Sequence, residues 1–143
     1  MAVHFFSEDI PFQLAEKLRR KRWLKELAAT SGFQIKELNY VFCSDEYLFQ
    51  MNVDYLNHDT YTDIITFDFS TSDTVSGDLY ISSDRVRDNA LKNKNEIQNE
   101  TYLVIIHGVM HLCGYKDKTK SEALTMRKKE ENSLLKIQEY ISV

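Results

Sequence analysis

Residues 98–117 read Gln98-Asn99-Glu100-Thr101-Tyr102-Leu103-Val104-Ile105-Ile106-His107-Gly108-Val109-Met110-His111-Leu112-Cys113-Gly114-Tyr115-Lys116-Asp117. Leu103, Val104, Ile105, Ile106, Val109 and Met110 follow in close succession, so a helix over 98–113 is apolar nearly all round. Such a helix is buried, and the other elements must cover it. Gly114 is a natural stop at its C-terminus. Four residues turn a helix about 40° past a full circle, so His107 and His111 share one face, one above the other.

Outward from this helix the pattern alternates between strand and helix. Val3–Phe6, Leu38–Cys43, Asp63–Phe69 and Asp78–Ser82 read as strands, the third rich in β-branched and aromatic residues. Ser70–Gly77 reads as a turn or loop, so the last two strands form an antiparallel hairpin inside a mixed sheet. Helices are expected from Pro11 to about Thr30, ending near Gly32, from Asp45 to Leu56 behind Ser44, from about Asp84 to Asn95 with Ser83 and Asp84 as caps, and from Lys120 to about Tyr140. The fold class is therefore α+β, with about four strands in a small mixed sheet and about five helices. The chain has 143 residues, the size of one compact domain over 1–143.

Composition excludes several classes. The formal net charge is -4, so no strongly basic footprint for nucleic acid exists, although a local basic groove remains compatible with it. Two cysteines, Cys43 and Cys113, form neither a Cys-x-x-Cys pair nor a disulfide framework, which suits a reducing, cytoplasmic setting. The opening Met-Ala-Val-His-Phe-Phe lacks the features of a signal peptide, and no stretch has the length of a membrane span.

The histidine pair carries the chemistry. Two imidazoles at i and i+4 can share one ion, and the chain reversal after Gly114 lets Asp117 approach it from a third direction. Two nitrogens and a carboxylate leave a fourth tetrahedral position open for water, as catalytic zinc requires. One zinc per chain is expected at His107, His111 and Asp117. Zinc proteases often carry His-Glu-x-x-His, with the glutamate as general base. Here Gly108 stands at that position, which disfavours protease chemistry of that type. The general base is not identifiable from the residues.

The pattern His107-Gly-x-x-His111-Leu-x-Gly114-Tyr115, followed by Asp117, resembles the YbeY family of rRNA-maturation endoribonucleases. Asn52-x-x-Tyr55 with Asp59 and Thr62-Asp63-Ile64-Ile65-Thr66-Phe67 is similar to the family's Asn-x-x-Tyr-Arg…Thr-Asp-Val-Leu-Ser-Phe block. Gly77-Asp78-Leu79-Tyr80-Ile81-Ser82 is similar to its Gly-Asp-Ile-x-Ile-Ser strand. The resemblance implies a zinc-metalloprotease-like α+β fold and zinc at the three residues of the histidine motif. It also implies hydrolysis of single-stranded rRNA, in maturation of the 3′ end of 16S rRNA of the small ribosomal subunit and in ribosome quality control. Two positions depart from the family: Asp117 replaces a histidine, and Leu56 replaces an arginine that could hold a phosphate. Rival readings are another zinc hydrolase acting on a peptide or amide bond, and a ribosome-associated protein with a structural metal. The open fourth position argues against the second of these.

Other residues have a plainer alternative. Asp63 and Asp78 can position water or a metal ligand, or simply hydrogen-bond a turn. His58 beside Asp59 reads as a loop histidine. Cys43 and Cys113 read as small buried hydrophobes. Arg19, Arg20, Lys21 and Arg22, with Lys92, Lys94, Lys116, Lys118 and Lys120, read as solvated faces, with RNA contact as the minority alternative. Trp23 is expected in the core rather than stacked on a base.

Overall fold

The computed structural model describes residues 2–10, 17–57, 61–116 and 119–141. Its elements are β1 (Ala2–Ser7), α1 (Lys17–Thr30), β2 (Gln34–Cys43), α2 (Asp45–Leu56), β3 (Ile64–Asp68), β4 (Thr74–Ser82), α3 (Ser83–Lys92), α4 (Ile97–Leu112) and α5 (Lys120–Ile141). Pro11 and the expected first turn of helix lie outside the described residues. The strands form one mixed sheet in the order β1-β2-β4-β3. β1–β2 and β2–β4 pair in parallel, and β3–β4 is the expected antiparallel hairpin.

Strand alternation divides the apolar residues between two faces. Val75, Leu79 and Ile81 of β4 pack with Trp23, Leu24 and Ala28 of α1, Ile105, Ile106 and Met110 of α4, and Met126 of α5. Ile65 of β3 and Cys43 of β2 pack on the other face with Leu48 of α2, beside Phe67 and Tyr80. The long apolar helix α4 is thus enclosed between the sheet and its neighbours, which is why nearly all its positions are apolar. The Tyr40 hydroxyl, fully buried, donates to the Ile105 carbonyl at 3.3 Å and ties the sheet to α4. Trp23 is buried in this core, so it does not offer a face to a base. Among the described residues, no helix is long and apolar enough to cross a membrane.

Several boundaries differ from the sequence expectation. β2 begins at Gln34 rather than Leu38, because a register shift between Ile35 and Glu37 breaks the alternation. Ile35 and Leu38 both face the core across two exposed residues, a spacing that does not read as a strand. β4 begins at Thr74 rather than Asp78, so only the short connection after Asp68 is a turn. The N-cap of α3 is Ser82, whose hydroxyl accepts from the Arg85 N–H at 3.1 Å. Asp84 instead accepts the Asp45 N–H at 2.9 Å, at the start of the neighbouring helix α2. α3 ends at Lys92, short of Asn95. The Ser44 cap of α2 is as expected. α5 opens on a reciprocal pair in which Thr119 and Glu122 each accept the other's N–H.

Burial pushes the Cys43 thiol up to about 12 and the Cys113 thiol up to about 11. The thiolate is the reactive form. Native protein at pH 8 should therefore leave both thiols unmodified by iodoacetamide over minutes, whereas protein in guanidinium chloride should titrate two. Mass spectrometry of the alkylated chain checks this; rapid native labelling of either thiol would contradict the packing described.

Candidate active site

The site begins with how closely α4 approaches the sheet. A Cβ at Gly108 would lie 2.4 Å from Leu79 Cδ2 and 2.9 Å from Ile64 Cδ1. Position 108 therefore faces the sheet with no room for a side chain. The protease glutamate is absent here because this position is packing surface. With Gly108 turned inward, His107 and His111 come out half-buried beside β3. Their rings lie 4.5 Å apart edge to face, and the two Nε2 atoms stand 2.9 Å from each other. Two nitrogens on one tetrahedral zinc, each at about 2.0–2.1 Å, stand roughly 3.3 Å apart, so the pair needs to open by only a few tenths of an ångström. The donors fit such an ion.

The other nitrogen of His107 is already spoken for. Its Nδ1 donates to Oε1 of Glu130, a buried carboxylate on α5. A carboxylate only accepts, so the proton of neutral His107 sits on Nδ1 and Nε2 keeps its lone pair. Carboxylate, imidazole and ion in series is the usual way a metal-binding histidine is oriented. Sequence reading missed Glu130. Its signal was an acid on the buried stripe of an amphipathic helix, where Met126, Glu130 and Ser133 are all buried.

A groove of about 530 Å³ runs beside the histidines along β3, lined by Thr62, Asp63, Ile64, Thr66, Asp68, His107, His111 and Leu112. A second cavity of about 310 Å³ lies on the α5 side, where Asp63 and His107 recur with Glu100, Arg127 and Glu130. Asp63 thus faces the histidine pair. Burial pushes its carboxyl above the usual carboxylate range, against the opposing pull of His107. Asp78 faces elsewhere and accepts from Asn39 Nδ2 at 3.0 Å.

Beyond α4 the chain turns as expected. Gly114 has φ +96°. Its N–H donates to the His111 carbonyl at 3.0 Å, and the Tyr115 N–H to the Met110 carbonyl at 3.1 Å. Tyr115 then anchors the turn: its hydroxyl lies 3.5 Å from Ser31 Oγ and Lys129 Nζ sits 4.7 Å from its ring centre. Asp117 and Lys118 lie outside the described residues, as do His58 and Asp59. Among the described residues, no group of three or more metal-ligating side chains converges. Leu56 is exposed at the end of α2 and lines neither cavity. Lys92, Lys94, Lys116 and Lys120 are exposed, as is Arg22, while Lys21 is half-buried; the side chains of Arg19 and Arg20 are outside the description.

Alanine normally improves a helix over glycine by about 1 kcal/mol. Gly108→Ala should do the reverse, costing about 1–3 kcal/mol through overpacking against Leu79 and Ile64. Urea denaturation measures it; a more stable variant would show that α4 can move off the sheet.

The chain is similar to known proteins over most of its length. A family model described as Endoribonuclease YbeY matches residues 6–138. The chain is 50% identical over 133 residues to the endoribonuclease YbeY of Cytophaga hutchinsonii, covering 92% of this chain and 93% of that one. It is 44% identical over 129 residues to that of Flavobacterium psychrophilum, covering 90% and 92%. Among solved structures it is similar to the solution structure of TM1509 from Thermotoga maritima, with a TM-score of 0.67 at 25% identity over 96% of this chain and 93% of that one. The likeness spans the sheet, the enclosing helices and the histidine motif together, and the chain belongs to the YbeY family of endoribonucleases, hydrolases that cut RNA.

Proposed function

We propose that this endoribonuclease is zinc-dependent and cytoplasmic, cuts single-stranded RNA, and acts in maturation of the 3′ end of 16S rRNA and in ribosome quality control, on the small ribosomal subunit. Family membership supports the RNA-cleaving reaction. The observation that carries the metal reading is the convergence of His107 and His111 Nε2, with Glu130 holding the far side of His107. His107, His111 and Asp117 would hold one zinc ion. When bound, the ion supplies Lewis acidity, making water acidic enough to attack near neutral pH and offsetting charge on the phosphoryl oxygen.

The chain's own residues do the rest. Glu130 keeps the His107 ring turned toward the groove and its Nε2 free of a proton. Asp63, just before β3, places its carboxyl in the groove beside that ring. The wall from Thr62 to Asp68 bounds the side along which an extended strand of RNA can lie. Gly108, pressed against the sheet, leaves no place for the general base of a His-Glu-x-x-His protease.

Purified protein should carry close to one zinc per chain and should nick single-stranded rRNA fragments in a chelator-sensitive way while leaving unfolded casein intact. His107→Ala and His111→Ala should lose most of the metal and the cleavage. Full zinc occupancy in the double variant would sink the metal assignment. Chelator-sensitive proteolysis without RNA cleavage would favour the other zinc hydrolase.

Zinc affinity at one pH separates the supporting roles. Asp117→His should keep the ion, because both residue types ligate zinc at about 2.0–2.2 Å, and Asp117→Ala should lose affinity. Glu130→Gln should weaken binding by about 10–100-fold. An alanine variant at 117 that binds as tightly as wild type would remove Asp117 from the ligand set.

A further inference from the structure

We infer that Arg127 on α5 grips a substrate phosphate beside the histidine pair. The inference rests on the RNA-cleaving reading above and adds a second point of contact for the substrate.

The groove along β3 and the cavity on the α5 side adjoin at Asp63 and His107. Among the described residues lining either one, Arg127 is the only permanent cation. The other ionisable side chains there, apart from the histidines, are acids: Asp63, Asp68, Glu100 and Glu130. Such walls suit a metal ion but repel an RNA strand, which brings a negative charge with every phosphate. A strand reaching the histidines needs a local cation, and Arg127 is the described side chain that supplies one.

The guanidinium is placed without being used up. Its Nη1 lies 3.7 Å from Glu130 Oε2 and its Nε 3.3 Å from Glu131 Oε1, while the side chain remains 54% exposed. The first distance is too long for a hydrogen bond. Arginine carries five N–H donors in a fixed planar fork, so the exposed edge can bind a phosphate in bidentate fashion. Glu130 also sets the spacing, with Oε1 on His107 and Oε2 toward Arg127. The carboxylate of Glu130 therefore lies between the ring and the guanidinium. Arg127 stands on the α5 side of His107, in the cavity that shares Asp63 and His107 with the groove, where it can take a phosphate neighbouring the one at the histidines. If Arg127 only screened Glu130 and Glu131 along the helix, its loss would affect folding and metal retention and leave substrate binding alone.

The test is steady-state cleavage of a single-stranded RNA oligonucleotide by wild type, Arg127→Ala and Arg127→Lys over a salt series, with zinc content and Tm recorded for each. Arg127→Ala should raise KM by roughly ten- to a hundredfold, the loss of a charged hydrogen-bonded contact. The slope of log kcat/KM against log salt should become shallower by about 0.7, one phosphate on a single strand. Zinc content and Tm should not change, and lysine should restore part of the affinity. An alanine variant with wild-type KM and salt slope overturns the inference while the nuclease reading stands. Parallel loss of zinc and Tm also overturns it, leaving Arg127 a support for Glu130. A wild type that neither binds nor cuts RNA overturns the nuclease reading and this inference together.

Discussion

Gly108 lets α4 lie directly on the sheet, and that contact sets the rotation of the helix about its axis. With position 108 pressed against Leu79 and Ile64, positions 107 and 111 are turned toward the edge of the sheet at β3. From Glu100 to Leu112 every position of α4 except these two is buried, so this edge is where the two histidines reach a groove. A larger residue at 108 would lift the helix and carry both imidazoles with it, since close-packed interiors transmit such displacements. The same contact explains why a histidine pair can sit in so apolar a helix.

Around the pair the structure gathers negative charge. Asp63 comes from the start of the hairpin, Glu100 from one turn into α4, and Glu130 from α5. Glu100 is buried and accepts from Asn93 Nδ2 at 2.9 Å, and Glu130 is buried against His107. Buried acids are costly unless partnered, and here each partner comes from a different element. These acids suit a cation at the histidines and disfavour a bare phosphate. A nuclease built on this frame needs positive charge from the ion and from side chains at the rim.

The α+β class, the mixed sheet, the β3–β4 hairpin and the limits of α4 were legible in the residues, because period-2 and period-3.6 patterns follow from backbone geometry alone. The misplaced boundaries have local causes. β2 hides its first residues behind the shift between Ile35 and Glu37, and polar Thr74-Val75-Ser76-Gly77 reads as a loop until it pairs between two strands. Ser82 closes a strand and caps a helix at once, so a cap sought at Ser83 falls one residue late.

The sequence by itself determined that two imidazoles share one helix face before a glycine stop, since i and i+4 stack on any α-helix. It also determined the family, since three motifs in order carry that information. Only the tertiary structure decided which groups meet the pair. Glu130 lies 23 residues from His107 and reaches Nδ1 because α5 packs back across α4. Asp63 lines the same groove from the residue before the edge strand β3, and Arg127 lies near the other oxygen of Glu130. These contacts join side chains far apart in the chain, and their positions depend on how the helices pack on the sheet, which no local spacing encodes.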